Sequence, residues 1–153
     1  MDASDLVTIR EIEQLKYRYL RALDEKDWVL FRSVFTDDAS ATYGERLSFT
    51  SADEIVDSMS ATLGPTMITM HQVHGPEIAV DGDEATGIWS LQDKVIMTDF
   101  RLLLDGMSIY RDTYRRGEDG VWRIAVTGYV RQFEHMVSMD DLPSFKLTAN
   151  RFA

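Results

Sequence analysis

The chain has 153 residues, 44% hydrophobic and 27% charged, which fits one globular domain with a core of ordinary size and excludes a disordered chain. A net charge of −10 with no basic patch argues against nucleic acid as a partner, and the absence of cysteine removes disulfides, thiolate nucleophiles and thiolate zinc sites together. No apolar h-region and no membrane-length apolar run stand out, so neither a signal peptide nor a membrane partner is expected, and a cytoplasmic location is.

Residues 8–25 repeat apolar side chains at helical spacing (Ile9, Ile12, Leu15, Tyr19, Leu20, Leu23), and Thr8 with Glu11 reads as a capping box. "DWVLFRSVF" is a short second helix with Asp27 as its N-cap, and "ASATYG" a short strand. "SADEIVDSMSATLG" opens on a second capping box, Ser51 with Glu54, and stops at Gly64-Pro65. Segments 66–80, 84–98, 102–116 and 121–135 then read as long strands, with "DGDE" and "RGEDGV" as hairpin turns. Helices followed by an antiparallel meander give an α+β fold, a curved sheet with helices on one face, over residues 8–135. Residues 136–153 form an irregular tail.

Polar residues on the strands locate the chemistry. Side chains alternate between faces, so His71 and His74 of "MHQVHG" point in opposite directions in a regular strand, which argues against a shared metal. Asp93 shares a face with Ala85, Trp89, Leu91, Val95 and Met97; a carboxylate there lies at the wet rim or in a pocket. Asp24, near the end of the first helix, faces the negative end of the helix dipole; "DEKD" reads equally as a solvated turn. Tyr43 and Tyr110 are core aromatics unless they share a cavity with His71.

The ordered set "LDEKDW", "VFTDDASATYG", "MHQVHGPEI" with "DGDEATG", and "YRDTYRRGEDGVWRI" resembles the SnoaL-like branch of the NTF2-like superfamily, within it the scytalone dehydratase type, over roughly residues 8–135. The resemblance implies a cone of bent antiparallel sheet closed by helices around an apolar pocket. It implies His71 as the proton-transfer residue, Asp24 as the carboxylate that holds it, and Tyr43 as the residue polarising a substrate carbonyl. Ser108 and Tyr110 match polar pocket residues of the third long strand. Similarity to bile-acid dehydratase-like members adds Asp93 as catalytic, with Tyr19 and Arg131. Leu23 and Met97–Thr98 stand where scytalone-type enzymes carry a tyrosine and a second histidine, so that substrate is not implied.

These parts suit proton abstraction next to a carbonyl, followed by loss of water, without metal or cofactor. His71 would be the base and Asp93 the acid for the leaving hydroxyl. Trp89, Leu91, Met97, Tyr110 and Tyr129 are expected pocket walls, around a cyclic, largely apolar small molecule such as a steroid, terpenoid or aromatic polyketide. An isomerase or polyketide cyclase would use the same residues. A non-catalytic small-molecule-binding protein would need no base–carboxylate pair. By resemblance a homo-oligomer, a dimer or trimer, is expected, with Ile68, Met70, Ile88, Ile96 and Ile109 on the open sheet face.

Overall fold

In the computed structural model, which describes residues 3–153, the helical spacing of the first segment becomes helix α1, Ala3–Glu25. Ile12, Leu15, Tyr19, Leu20 and Leu23 are all buried along one stripe. Each such aliphatic side chain contributes about 1.5–3 kcal/mol on leaving water. Lys16, in the same stripe, is buried with them. The helix begins before Thr8, so Thr8 lies inside it and does not open it as a capping residue.

Helix α2 (Trp28–Ser33) is capped by Asp27, whose carboxylate accepts from Leu30 N–H at 2.9 Å. Helix α3 (Ala52–Thr62) is capped by Ser51, which accepts from Glu54 N–H at 3.2 Å. Glu54 in turn accepts from Thr50 N–H rather than closing the expected box on Ser51 alone.

Six strands form one sheet: β1 Phe35–Tyr43, β2 Leu47–Phe49, β3 Met67–Asp81, β4 Glu84–Met97, β5 Leu102–Arg116 and β6 Trp122–Ser138. Their spatial order is β2-β1-β6-β5-β4-β3. The long strands form the expected antiparallel meander, but β1 joins β6 in parallel, so the sheet is mixed. β2 is a short addition that the sequence reading lacked. The sheet curves without closing; α1 packs on the edge strand β3, and α3 packs on β1. β6 extends three residues past the expected boundary at 135, to Ser138, and a single 3-10 turn (Met139–Asp141) opens the tail.

Candidate active site

The end of α1 is fixed to the start of β3. Lys26 adopts φ of 58°, the left-handed conformation that ends a helix, and its N–H and that of Asp27 bond back to Leu23 O and Ala22 O. Its ammonium then donates to Met67 O at 2.8 Å. This clamp places Asp24, two residues back, beside the inner face of β3. Asp24 Oδ1 lies 2.6 Å from His71 Nδ1 and accepts from Thr69 Oγ1 at 2.8 Å; Oδ2 accepts from His71 N–H at 2.9 Å. Three contacts thus offset the unfavourable helix-end position of the carboxylate. They hold the imidazole in one orientation, with Nε2 free of Asp24. Thr69, His71 and Val73 share the inner face; Met70, Gln72 and His74 are exposed on the other. The two histidines face apart.

Asp93 stands directly across from His71 in the β3–β4 register, and Gly106 across from Asp93 on β5. Asp93 is 3% exposed, so it lies inside and not at the rim. Arg131 reaches it from β6, Nη1 to Oδ1 at 2.5 Å and Nη2 to Oδ2 at 3.2 Å. Two sequence features permit this. A register shift between Met107 and Ser108 lets β6 turn Arg131 inward opposite Ser108 while Phe133 stays outside. Gly106 leaves the space that the guanidinium crosses: a Cβ there would collide with Arg131 Nη1 and lie 3.2 Å from Asp93 Oδ1. Burial disfavours charge on Arg131, but the hydrogen bond and charge of Asp93 outweigh it and raise its pKa.

Tyr43, Tyr129 and Tyr110 lie in one row across β1, β6 and β5. Tyr19 descends from α1 to join them. Tyr19 Oη is 2.8 Å from Tyr43 Oη and 3.4 Å from Tyr110 Oη. Three phenol protons and two mutual contacts leave one proton for a ligand oxygen. Burial pushes the pKa of all three phenols upward, so they remain neutral donors.

These groups share a cavity of about 270 Å³. Tyr19, Tyr43, His71, Asp93, Tyr110, Tyr129 and Arg131 line it, with Leu23, Met59, Leu63, Met67, Val95 and Leu104 as apolar wall. Asp24 stands behind His71, on a cleft outside the cavity. Four residues expected at the wall do not line it. Trp89 and Leu91 are buried in the core, where Trp89 meets Tyr17 of α1 and donates to Tyr114 Oη at 2.9 Å. Met97 sits at the end of β4, paired with Met67 and Leu102. Ser108 is fully buried, its hydroxyl without a hydrogen-bond partner. Strand alternation gives the correct face for Trp89, Leu91 and Asp93 but not the point where the cavity ends. Thr69 and Gly106 were missed; a glycine inside an apolar strand is the available signal for the second.

Residues 4–127 match the SnoaL-like domain model. The fold is similar to a hexachlorocyclohexane dehydrochlorinase (LinA type 2), with a TM-score of 0.82 and 18% identity over 90% of this chain and 94% of that one. It is similar to a candidate scytalone dehydratase from Novosphingobium aromaticivorans, with a TM-score of 0.79 and 19% identity over 98% and 95% of the two chains. A dehydratase of the NTF2-like family, so described provisionally, from Streptomyces avermitilis matches at 0.73 with 13% identity over 83% and 97%. At these identities the structures establish a shared fold, the NTF2-like cone. With the model match covering most of its length, the chain belongs to the SnoaL-like domain family of the NTF2-like superfamily.

Proposed function

We propose that the protein is a cofactor-independent lyase of the dehydratase type, acting on a small cyclic, largely apolar molecule that carries a carbonyl. The observation that supports this most is the His71–Asp24 contact, 2.6 Å long, on the wall of a cavity that also holds the tyrosine hydroxyls. An imidazole whose Nδ1–H is held by a carboxylate presents Nε2 as a general base near neutral pH.

In the proposed reaction His71 removes the proton next to the substrate carbonyl, and the C–H electron pair passes into an enolate. The free proton of the Tyr43–Tyr19–Tyr110 chain stabilises the enolate oxygen. The enolate then expels the β-hydroxyl, forming the C=C bond, and the imidazolium returns its proton to that oxygen so that water leaves. Both oxygens of Asp93 face the guanidinium of Arg131. Asp93 therefore serves as the fixed partner of Arg131, and the acid role expected for it passes to the His71 imidazolium.

At about 270 Å³ the cavity lies just below the ~300–1,000 Å³ usual for ligand sites, which favours one or two rings over a steroid. The dehydrochlorinase and dehydratase neighbours are described by eliminations, which agrees with this reading. The test is incubation with a panel of cyclic β-hydroxy ketones and mass spectrometry of the products. Loss of water with the parent and none with His71→Ala supports the reading; equal loss with both refutes it.

The same proposal includes a cytoplasmic homo-oligomer. No described helix is long and apolar enough to cross a membrane. Val130 (63% exposed) and Phe133 (59%) are apolar and exposed on the outer side of β6, suited to a second copy of the chain.

A further inference from the structure

Behind the tyrosines lies a charge pair that the proposed reaction does not use. Lys16, from the apolar stripe of α1, and Asp112, from β5, are both wholly buried, with Nζ 2.8 Å from Oδ2. At that separation the two form a buried ion pair. Asp112 also accepts from two hydroxyls: Oδ1 from Thr127 Oγ1 at 2.7 Å, and Oδ2 from Tyr114 Oη at 2.7 Å. The ammonium also sits on aromatic faces, 3.4 Å from the Tyr110 ring centre and 4.6 Å from that of Tyr19.

A buried ion pair is often less stabilising than apolar residues of the same volume. Its placement therefore calls for a reason other than stability. The ring it touches supplies one. Tyr110 ends the hydroxyl chain, and negative charge arriving on a ligand oxygen at that end spreads onto the Tyr110 hydroxyl. A cation on the face of that ring favours such charge in a site of low dielectric. Asp112 opposes this effect, but the ammonium is the group in contact with the ring face, while the Asp112 carboxylate also accepts from Thr127 and Tyr114.

We infer that Lys16 is a positioning residue that acts through Tyr110, fixing its ring and making the tyrosine chain selective for an anionic oxygen on the ligand. The inference rests on the proposed role of the tyrosines, not on that of His71. It names the bound species more closely: an enolate or phenolate oxygen rather than a neutral ring.

The test uses 4-nitrophenolate and its uncharged shape match, nitrobenzene, as probes. The ratio of their dissociation constants measures anion preference. Lys16→Met alone leaves Asp112 buried without its counter-charge, so the working variant is Lys16→Met/Asp112→Asn, with folding checked by thermal unfolding. The ratio should fall about tenfold in this variant, with nitrobenzene binding unchanged. In a Tyr110→Phe background the same pair of substitutions should change nothing, because the effect runs through Tyr110. Asp112→Asn alone keeps the ammonium and should hold the ratio at or above the parent value; it remains informative if the double variant does not fold. A parent without anion preference, an equal loss for both probes, or an undiminished effect in the Tyr110→Phe background each overturns the inference. Failure of His71 as a base would leave all of these ratios intact.

Discussion

Asp24 grips His71 at two points, ring and backbone: Oδ1 at 2.6 Å from Nδ1 and Oδ2 at 2.9 Å from the peptide nitrogen. One carboxylate therefore sets both where the histidine sits and which nitrogen carries its proton. Asp24→Asn keeps the volume and one acceptor but can turn an N–H toward Nδ1, favouring the tautomer protonated at Nε2. Turnover should fall by roughly 10²–10⁴-fold with little change in ligand affinity. Steady-state kinetics on a substrate found by product screening checks this.

Thr69 supports the same carboxylate oxygen from two residues before His71. Thr69→Val removes one donor and leaves shape nearly unchanged. It should lower turnover several-fold and stability by about 1 kcal/mol, read by urea unfolding.

Gly106 is required by Arg131. Gly106→Ala should displace the guanidinium from Asp93 and lower ligand affinity, because its Cβ would meet Arg131 Nη1. Asp93→Asn should do less to folding than Asp93→Leu, since the amide oxygen still accepts from Arg131. Ligand titration with thermal unfolding on each variant separates the two effects.

Leu91 is core and not cavity wall. Leu91→Ala should cost about 2–5 kcal/mol of stability while the surviving folded fraction binds ligand as the parent does. A large change in affinity at unchanged stability would return Leu91 to the site.

Alkaline pH should destabilise the fold. Burial holds Tyr19, Tyr110 and Tyr114 well above the ordinary 10.0. Above pH 10.0 the unfolded chain releases these protons and the native chain does not, so stability, fully present below that pH, falls as pH rises. Lys16 works in the opposite sense, because burial lowers its pKa from 10.5 against the pull of Asp112. Three phenols outweigh one amine. Urea unfolding on both sides of pH 10.0 should show the decline, and Tyr19→Phe should flatten it.

Much of this was legible in the residues. Period-two alternation separated His71 from His74 and put Asp93 on the inner face, and the apolar spacing of residues 9–23 gave α1. The long strands were found to within a few residues because each alternates over more than a dozen positions. What escaped depends on distance along a strand and between strands. Trp89, Leu91 and Asp93 share a face, yet the core takes the first two and the cavity the third, which alternation cannot tell. Arg131 owes its direction to the shift in register between β5 and β6. Lys16 fits the helical spacing of Ile12 and Tyr19, but a lysine in such a stripe reads as surface until Asp112, 96 positions later in the chain numbering, is folded against it. The parallel pairing of β1 with β6 likewise joins residues remote in sequence, and local patterns carry no record of it.

In the proposed reaction His71 removes a proton next to a carbonyl. Whether water loss, isomerisation or cyclisation follows, that step exchanges the proton with solvent. The direct measurement is deuterium uptake, by NMR in deuterated water, at the carbon next to the carbonyl of small cyclic ketones that bind the cavity. Catalysed uptake with the parent, falling at least a hundredfold in His71→Ala while binding persists, is the expected result. Uptake at the uncatalysed rate for every bound ketone, or equal uptake with His71→Ala, would contradict the account.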